Sequence, residues 1–264
     1  MARRRRASRT CIKDGNQVLR AIPMEKTAFK KSLAIITARG GSKRIPRKNI
    51  KDFCGKPILS YSIEAALESD IFDEVMVSTD DQEIAEISKT LGAEVPFLRS
   101  EKTSDDFSTT SDVLVEVIES YEAKKMHFDS FCCIYPTAPF VTPKILKKAK
   151  SILESDRTVD SVVPILQFSF PPQRAFAEEG NYVRFIFPEY SQLRSQDLKP
   201  IFHDCGQFYY CKTERFKKYK NIIMPKTVGI KRDELHCQDI DNYSDWRLAE
   251  LKYSLLKEEG LLND

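Results

Sequence analysis

The sequence predicts an α/β fold, a mainly parallel sheet with helices on its faces. Three features carry that expectation: short apolar runs of strand length, helical apolar stripes between them, and capping or breaking residues at the joins. A strand–helix–strand order of this kind favours parallel pairing with crossover helices, and ligands in such sheets sit outside the carboxyl ends of the strands.

The first apolar run, Leu33 to Ile36, opens the stretch LAIITARGGSKRIPRKNI. It reads as a buried strand, followed at once by Gly40 and Gly41 and by five cations, Arg39, Lys43, Arg44, Arg47 and Lys48. Glycines let a backbone approach a ligand without Cβ interference, and backbone N–H groups with positive side chains suit a polyphosphate. The spacing matches neither G-x-x-x-x-G-K-[ST] nor G-x-G-x-x-G, which argues against a Walker ATPase or a dinucleotide-binding dehydrogenase.

Pro57 then opens a helix with Leu59, Ile63, Ala66 and Leu67 on one face. Glu74 to Val77 is a second strand ending in Ser78-Thr79-Asp80. Asp80 with Glu83 has the form of an N-terminal capping box, Ile84, Ile87 and Leu91 supply the stripe of the next helix, and Gly92 stops it. Val95 to Leu98 has the composition of a third strand. Val113, Val117, Ile118 and Tyr121 mark a helix capped near Ser108 or Thr109, and Phe131 to Tyr135 a buried strand. Thr142-Pro143 caps a helix with Ile145, Leu146, Ala149 and Ile152 inward, and Val159 to Leu166 is a further strand.

From Phe168 to about His203 the rhythm breaks into proline- and aromatic-rich sequence around a Gly180-Asn181 turn. This is expected to be an excursion of strands or a hairpin over about 168–204, burying its aromatics against a second subunit or folding as an ordered lid within one chain. The chain returns through the strand-like GQFYY and closes with QDIDN before a helix over Trp246 to Leu256.

Composition bounds the function. The 264 residues allow one large core, which is expected over 32–264. No run of eighteen apolar residues is present, so no membrane span is expected. Seven scattered cysteines without a C-x-x-C spacing suit buried or incidental thiols in a reducing, cytoplasmic setting rather than structural zinc. Residues 1–23 hold seven Lys or Arg against one acid, so the rest of the chain is mildly acidic, which weakens the case for a general nucleic-acid binder.

The basic tail, taken as 1–31, has several readings: a nuclear-import or nucleic-acid patch, part of a transit peptide, a disordered tail, or sequence upstream of an initiator at Met24. A nucleic-acid-binding protein on a degenerate nucleotide fold is the alternative of a different class.

Asp239 and Asp241 flank Ile240. In an extended segment, side chains two apart share a side, so both carboxylates can converge on one hard cation while Ile240 turns to the core. Magnesium, with few carboxylates and substrate phosphate oxygens around it, suits that pair. Of the three histidines, His127 lies in a polar linker and His236 precedes the acidic pair as a structural residue, while His203 is a candidate for substrate contact.

The motifs AIITARGGSKRIPRKNI, VSTDDQEIAE, GAEVPFLR, YPTAPF and QDIDN, in that order over about 33–256, resemble the CMP-sialic acid synthetase family. RSQDL followed by HDCGQFYY, with Tyr135 in place of the usual glutamine, is most similar to the branch acting on pseudaminic acid. The resemblance implies a Rossmann-like nucleotide-diphospho-sugar transferase fold, a glycosyltransferase-A-like three-layer sandwich. It also implies a homodimer that joins CTP to an acidic nine-carbon sugar with Mg2+, releasing pyrophosphate.

Carried over, Arg39, Gly41, Ser42, Lys43 and Lys48 would hold the triphosphate, while Asn49, the backbone near Ala38, and Ser108 or Thr109 would read cytosine. Arg99, Tyr135, Arg174 and Arg194 would face the sugar, Arg194 coming from the neighbouring subunit, with His203 on the same side as a sugar contact or an ordinary packing residue. Asp239 and Asp241 would hold the metal, and Asp241 would serve as base if one is needed. The departures at Tyr135 and His203-Asp204-Cys205 bear on which sugar is taken: pseudaminic, acetylneuraminic or legionaminic acid.

Overall fold

The computed structural model describes residues 31–262 apart from Asp106; the basic tail up to residue 30, with its several readings, lies outside the described residues. The elements run β1 Ser32–Thr37, β2 Asp52–Phe53, β3 Lys56–Pro57, α1 Ile58–Ser69, β4 Glu74–Ser78, α2 Gln82–Thr90, α3 Thr110–Ala123, β5 Ser130–Ile134 and α4 Pro143–Ser155. They continue through β6 Ser161–Gln167, β7 Phe176–Glu179, β8 Tyr182–Phe185, β9 Phe202–Asp204, β10 Phe208–Lys212, α5 Thr213–Tyr219, β11 Thr227–Lys231 and α6 Tyr243–Glu258.

The main sheet has the order β11-β6-β10-β5-β1-β4, with β9 pairing the far half of β6. β1 lies parallel to β4 and β5, and β11 parallel to β6, whereas β10 runs antiparallel between β5 and β6. Side chains alternate across β1. Ala34 and Ile36 enter one core with Leu59 and Ile63 of α1 and Leu146 and Ala149 of α4. Leu33 and Ile35 enter a second core with Leu114 and Val117 of α3 and Phe216 of α5. The result is the expected three layers, helices on both faces of a mainly parallel sheet.

Several joins differ from the sequence expectation. Asp81, not Asp80, caps α2 by accepting from the Ile84 N–H at 3.0 Å. Val95 to Leu98 forms no strand: beyond one bridge between Met76 and Glu94 the segment leaves the β4 edge, where Pro96 has no N–H to continue a ladder. Two elements carried no recognised signal, α5 with only Thr213 and Phe216 buried, and the edge strand β11 with only Ile230 buried. The Gly180-Asn181 turn joins β7 to β8 as a hairpin, and this excursion exposes Phe170, Phe176, Tyr182 and Val183. Five of the six described cysteines are buried thiols, and Cys54 is exposed.

A third apolar cluster positions the site. Ile45 from the loop after β1, Phe53, Ile58, Tyr61, Phe140, Ile240 and the inward face of α6, with Trp246, Ala249 and Leu256, pack together. Ile45 and Ile240 are fully buried there, at 0% and 1% exposure. Polar residues stand next to each: Arg44 directly before the first, Asp239 and Asp241 on either side of the second.

Candidate active site

A cleft of about 610 Å³ lies at the carboxyl ends of β1 and β5. Thr37 at the end of β1, and Arg39, Ser42, Lys43, Arg44, Lys48 and Asn49 beyond it, line one part, and Tyr135, Pro136 and Thr137 line it from the loop after β5. Arg99, Thr103, Asp105 and Ser108 close one side, and Asp241 stands on another.

The two separated motifs meet directly. The Lys48 ammonium donates to the Ile240 carbonyl at 2.7 Å, and Arg44 pairs with Asp241 at 2.8 Å. Burial pushes the Lys48 ammonium below its ordinary value, although the Asp241 and Asp239 carboxylates pull the other way. Asp239 is raised, first by burial and then by repulsion from Asp241, with Lys48 opposing. A carboxylate kept short of counter-charge in this way gains from an added cation.

The metal expectation can be judged from the donors. Two carboxylates emerge on either side of buried Ile240, both within electrostatic reach of Lys48 and of each other. Two hard oxygen donors of this kind suit magnesium, which prefers few carboxylates and would need further oxygen ligands. Asp241 is already paired with Arg44.

The loop after β1 is shaped by its neighbours. A Cβ on Gly40 would meet the Asp81 carboxylate at 2.8 Å, so Gly40 serves the close approach of the α2 cap, while the space at Gly41 is open. The Gly40 N–H donates to Asp80 at 2.9 Å. Arg47, at φ 55°, pairs with Asp81 and Glu83, which ties the loop to the start of α2. Buried Asn49 donates from its amide nitrogen to the Arg39 carbonyl at 2.8 Å.

On the opposite side, Arg39 donates to the Asp105 carbonyl at 3.3 Å, and Ser108 donates to the Asp105 carboxylate at 2.6 Å. The Arg99 guanidinium is buried and donates to the Ser78 carbonyl at 2.6 Å; burial lowers its affinity for the proton, with Asp80 and Glu116 opposing. Tyr135 shares a hydrogen bond with Thr110 at 3.1 Å.

Of the residues singled out in the sequence, Arg39, Ser42, Lys43, Lys48, Asn49, Arg99, Ser108, Tyr135 and Asp241 come together on this cleft. Others, Gly41 and Asp239 among them, lie off its wall. Thr109 caps α3 in a reciprocal box with Asp112. Ala38 is fully buried and its N–H donates to the Ser78 carbonyl at 3.0 Å. Arg174 donates to Ser195, Arg194 pairs with Asp197 at 2.8 Å, and both stand on the exposed excursion. His203 is exposed and leans on the Phe168 ring at 4.6 Å. His236 is structural, held between Asp233 and the Leu261 carbonyl.

Thr37, Arg44, Thr103, Asp105, Thr110 and Thr137 were not assigned from sequence yet line the cleft. The position of Thr137 in YPTAPF and the place of Arg44 in the basic loop were the available signals.

A cytidylyltransferase family model matches residues 33–254. A pseudaminic acid cytidylyltransferase of Campylobacter jejuni is 41% identical over 234 residues, spanning 87% of this chain and 99% of that protein. A CMP-N,N'-diacetyllegionaminic acid synthase of Legionella pneumophila is 33% identical over 239 residues, again 87% of this chain and 99% of the relative. Among solved structures, a CMP:2-keto-3-deoxy-manno-octonic acid synthetase complexed with CTP shares the fold at a TM-score of 0.62 and 18% identity, over 86% of this chain and 99% of that one. With a mixed, mainly parallel sheet, a cation-lined cleft at its strand ends and relatives of this identity over nearly their whole length, the chain belongs to the cytidylyltransferase family.

Proposed function

We propose that this chain transfers a cytidylyl group from CTP to a nine-carbon 2-keto acid sugar, pseudaminic acid, giving the CMP-sugar and pyrophosphate. The observation that carries the reading is the junction of the basic loop and the acidic pair through buried Ile45 and Ile240, sealed by Lys48 on the Ile240 carbonyl. A triphosphate lying along that junction meets cations on its oxygens and carboxylates at its edge.

In this mechanism Arg39, Ser42, Lys43 and Lys48 draw the triphosphate into the loop and Gly41 leaves room for it, while Asn49 and Ser108 face the cytosine. Arg99 and Tyr135 form the sugar wall, where an arginine fork suits a sugar carboxylate. The anomeric oxygen attacks the α-phosphorus, the bond to the β-phosphate oxygen breaks, and pyrophosphate leaves; the hydroxyl proton passes to Asp241. Much of the acceleration in phosphoryl transfer is positioning and charge stabilisation, which this cluster of cations provides. Asp239 and Asp241 would hold magnesium, which supplies Lewis-acid neutralisation of the phosphate oxygens when bound.

The excursion with exposed Phe170, Tyr182 and Val183 is read as the contact of a homodimer, bringing Arg174 or Arg194 to a neighbouring cleft. Free, buried thiols accord with a cytoplasmic setting. Among the described residues no helix is long and apolar enough to cross a membrane.

The test offers pseudaminic, legionaminic and acetylneuraminic acids with CTP and magnesium and reads pyrophosphate. Preference for pseudaminic acid is expected. Preference for another sugar reassigns the substrate, and RNA or DNA binding without pyrophosphate release from any sugar overturns the reading.

A further inference from the structure

We propose that Tyr209 and Asp204, neither of which lines the cleft, are positioning residues that set the Tyr135 hydroxyl for the sugar and couple it to the turn beneath Asp239. The inference rests on the function proposed above.

The geometry begins with strand register. Tyr209 on β10 pairs opposite Cys133 on β5, and Tyr135 lies two residues beyond Cys133, so Tyr135 and Tyr209 share one face as diagonal neighbours. Their rings are 5.4 Å apart, and the Tyr135 N–H donates to the Gln207 carbonyl at 2.9 Å, which fixes the two backbones together. Burial is the largest influence on both phenols and raises each, so both stay protonated.

Tyr209 is buried, and its hydroxyl donates to Asp204 Oδ2. The other carboxylate oxygen of Asp204 accepts from the Gly206 N–H at 2.8 Å. Gly206 sits at φ 60°, and a Cβ there would come within 3.4 Å of Asp239 Oδ1. Asp204 is itself held on β9, opposite Ile165 of β6.

One carboxylate therefore clamps two things: through Tyr209 the aromatic wall of the sugar half, and through Gly206 the turn against which Asp239 rests. With Tyr209 spending its proton on Asp204, its oxygen can only accept, and in the proposed arrangement it takes the Tyr135 hydroxyl proton; Thr110 shares a hydrogen bond with the same hydroxyl from the cleft side at 3.1 Å. A hydroxyl fixed from two sides presents one orientation to a sugar substituent. A free phenol would present several.

Tyr209→Phe removes that oxygen and leaves the ring packing. Steady-state kinetics with CTP, magnesium and the sugar that the wild type uses best should show the sugar KM raised about tenfold, the scale of one lost hydrogen bond, with the CTP KM within about twofold of wild type. The melting temperature and the double variant Tyr135→Phe/Tyr209→Phe are measured alongside. Because both residues act on one hydroxyl, the double variant should be no worse than the poorer single variant.

An unchanged sugar KM in Tyr209→Phe, equal rises in both KM values, or additive single effects would each overturn the positioning role. Should Tyr209→Phe fail to fold, Asp204→Asn, which keeps an oxygen for the Gly206 N–H, must give the same selective sugar effect, and its absence overturns the proposal. No turnover by the wild type with any 2-keto acid sugar overturns the proposed function and this inference together; wild-type turnover with an insensitive variant overturns this inference alone.

Discussion

Lys48→Met is the sharpest probe of the junction between the two motifs, because it keeps length and bulk while removing one charge and one donor. The ammonium donates to the Ile240 carbonyl at 2.7 Å, and hydrogen bonds from charged groups are worth about 1.5–3 kcal/mol. Against that, burial opposes the charge: it is the largest influence on this ammonium and lowers its proton affinity in spite of two nearby carboxylates. The two contributions offset, so the net change in stability should stay within about 1 kcal/mol, a shift of roughly 2–4 °C in melting temperature for a domain of this size. Activity should respond on a different scale. A preorganised donor aimed at developing charge is worth about 10²–10³ in turnover when removed. The assay is pyrophosphate release at saturating CTP and sugar, with a thermal melt on the same preparation. Turnover within about threefold of wild type would refute the electrostatic role, since that is below the smallest effect expected of such a donor. A collapsed melt with normal turnover per folded molecule would make Lys48 a structural strut.

Asp239→Asn should cut turnover by orders of magnitude with an unchanged melt, and titrating magnesium should fail to restore it; near-normal pyrophosphate release would remove the acidic pair from the reaction. The Arg47 guanidinium, through its bond to Asp81, holds that carboxyl below its usual 3.8. A depressed carboxyl contributes stability that is fully present above its unfolded value and lost as pH falls through the folded one. The melting-temperature gap between wild type and Arg47→Ala should thus be constant above about pH 5 and narrow below about pH 4, and a gap independent of pH would discount the pair. Arg194→Ala should raise the sugar KM while leaving the CTP KM and the melt alone, because its partner Asp197 is a surface residue of the same excursion; an unchanged sugar KM would take it out of the pocket of either subunit.

The fold was largely legible because its core obeys local rules. β1 alternates between two apolar clusters, and Thr142 before Pro143 caps α4. What failed had no local signature. Asp80 and Asp81 are adjacent carboxylates before the same helix, and sequence spacing alone favoured the wrong one. The structure assigns Asp81 to the α2 cap and leaves Asp80 for the Gly40 N–H, a contact forty residues distant. Pro96 defeated a strand whose composition was otherwise suitable. α5 and β11 bury too few side chains to print a period.

The site divides along the same line. Its chemistry was legible because phosphate and metal chemistry need particular residue types, cations behind glycine and carboxylates two apart. Its closure was not, since Arg44 meets Asp241 across 197 positions of chain. Nothing in the basic loop says which of five cations turns inward. Burial decides: Ile45 is the apolar residue within the loop, and once it enters the cluster holding Ile240, the residues beside each isoleucine are driven toward the same face of the molecule. The polar contacts across the cleft therefore follow from an apolar one. On that reasoning Ile45→Ala, which alters no charge and no phosphate donor, should raise the CTP KM along with lowering the melt. Replacing a buried aliphatic side chain by alanine costs about 2–5 kcal/mol, and part of that loss falls on the packing that keeps Lys48 beside Ile240. A variant destabilised to that extent but binding CTP normally would show that the loop finds its partners without the isoleucine pair.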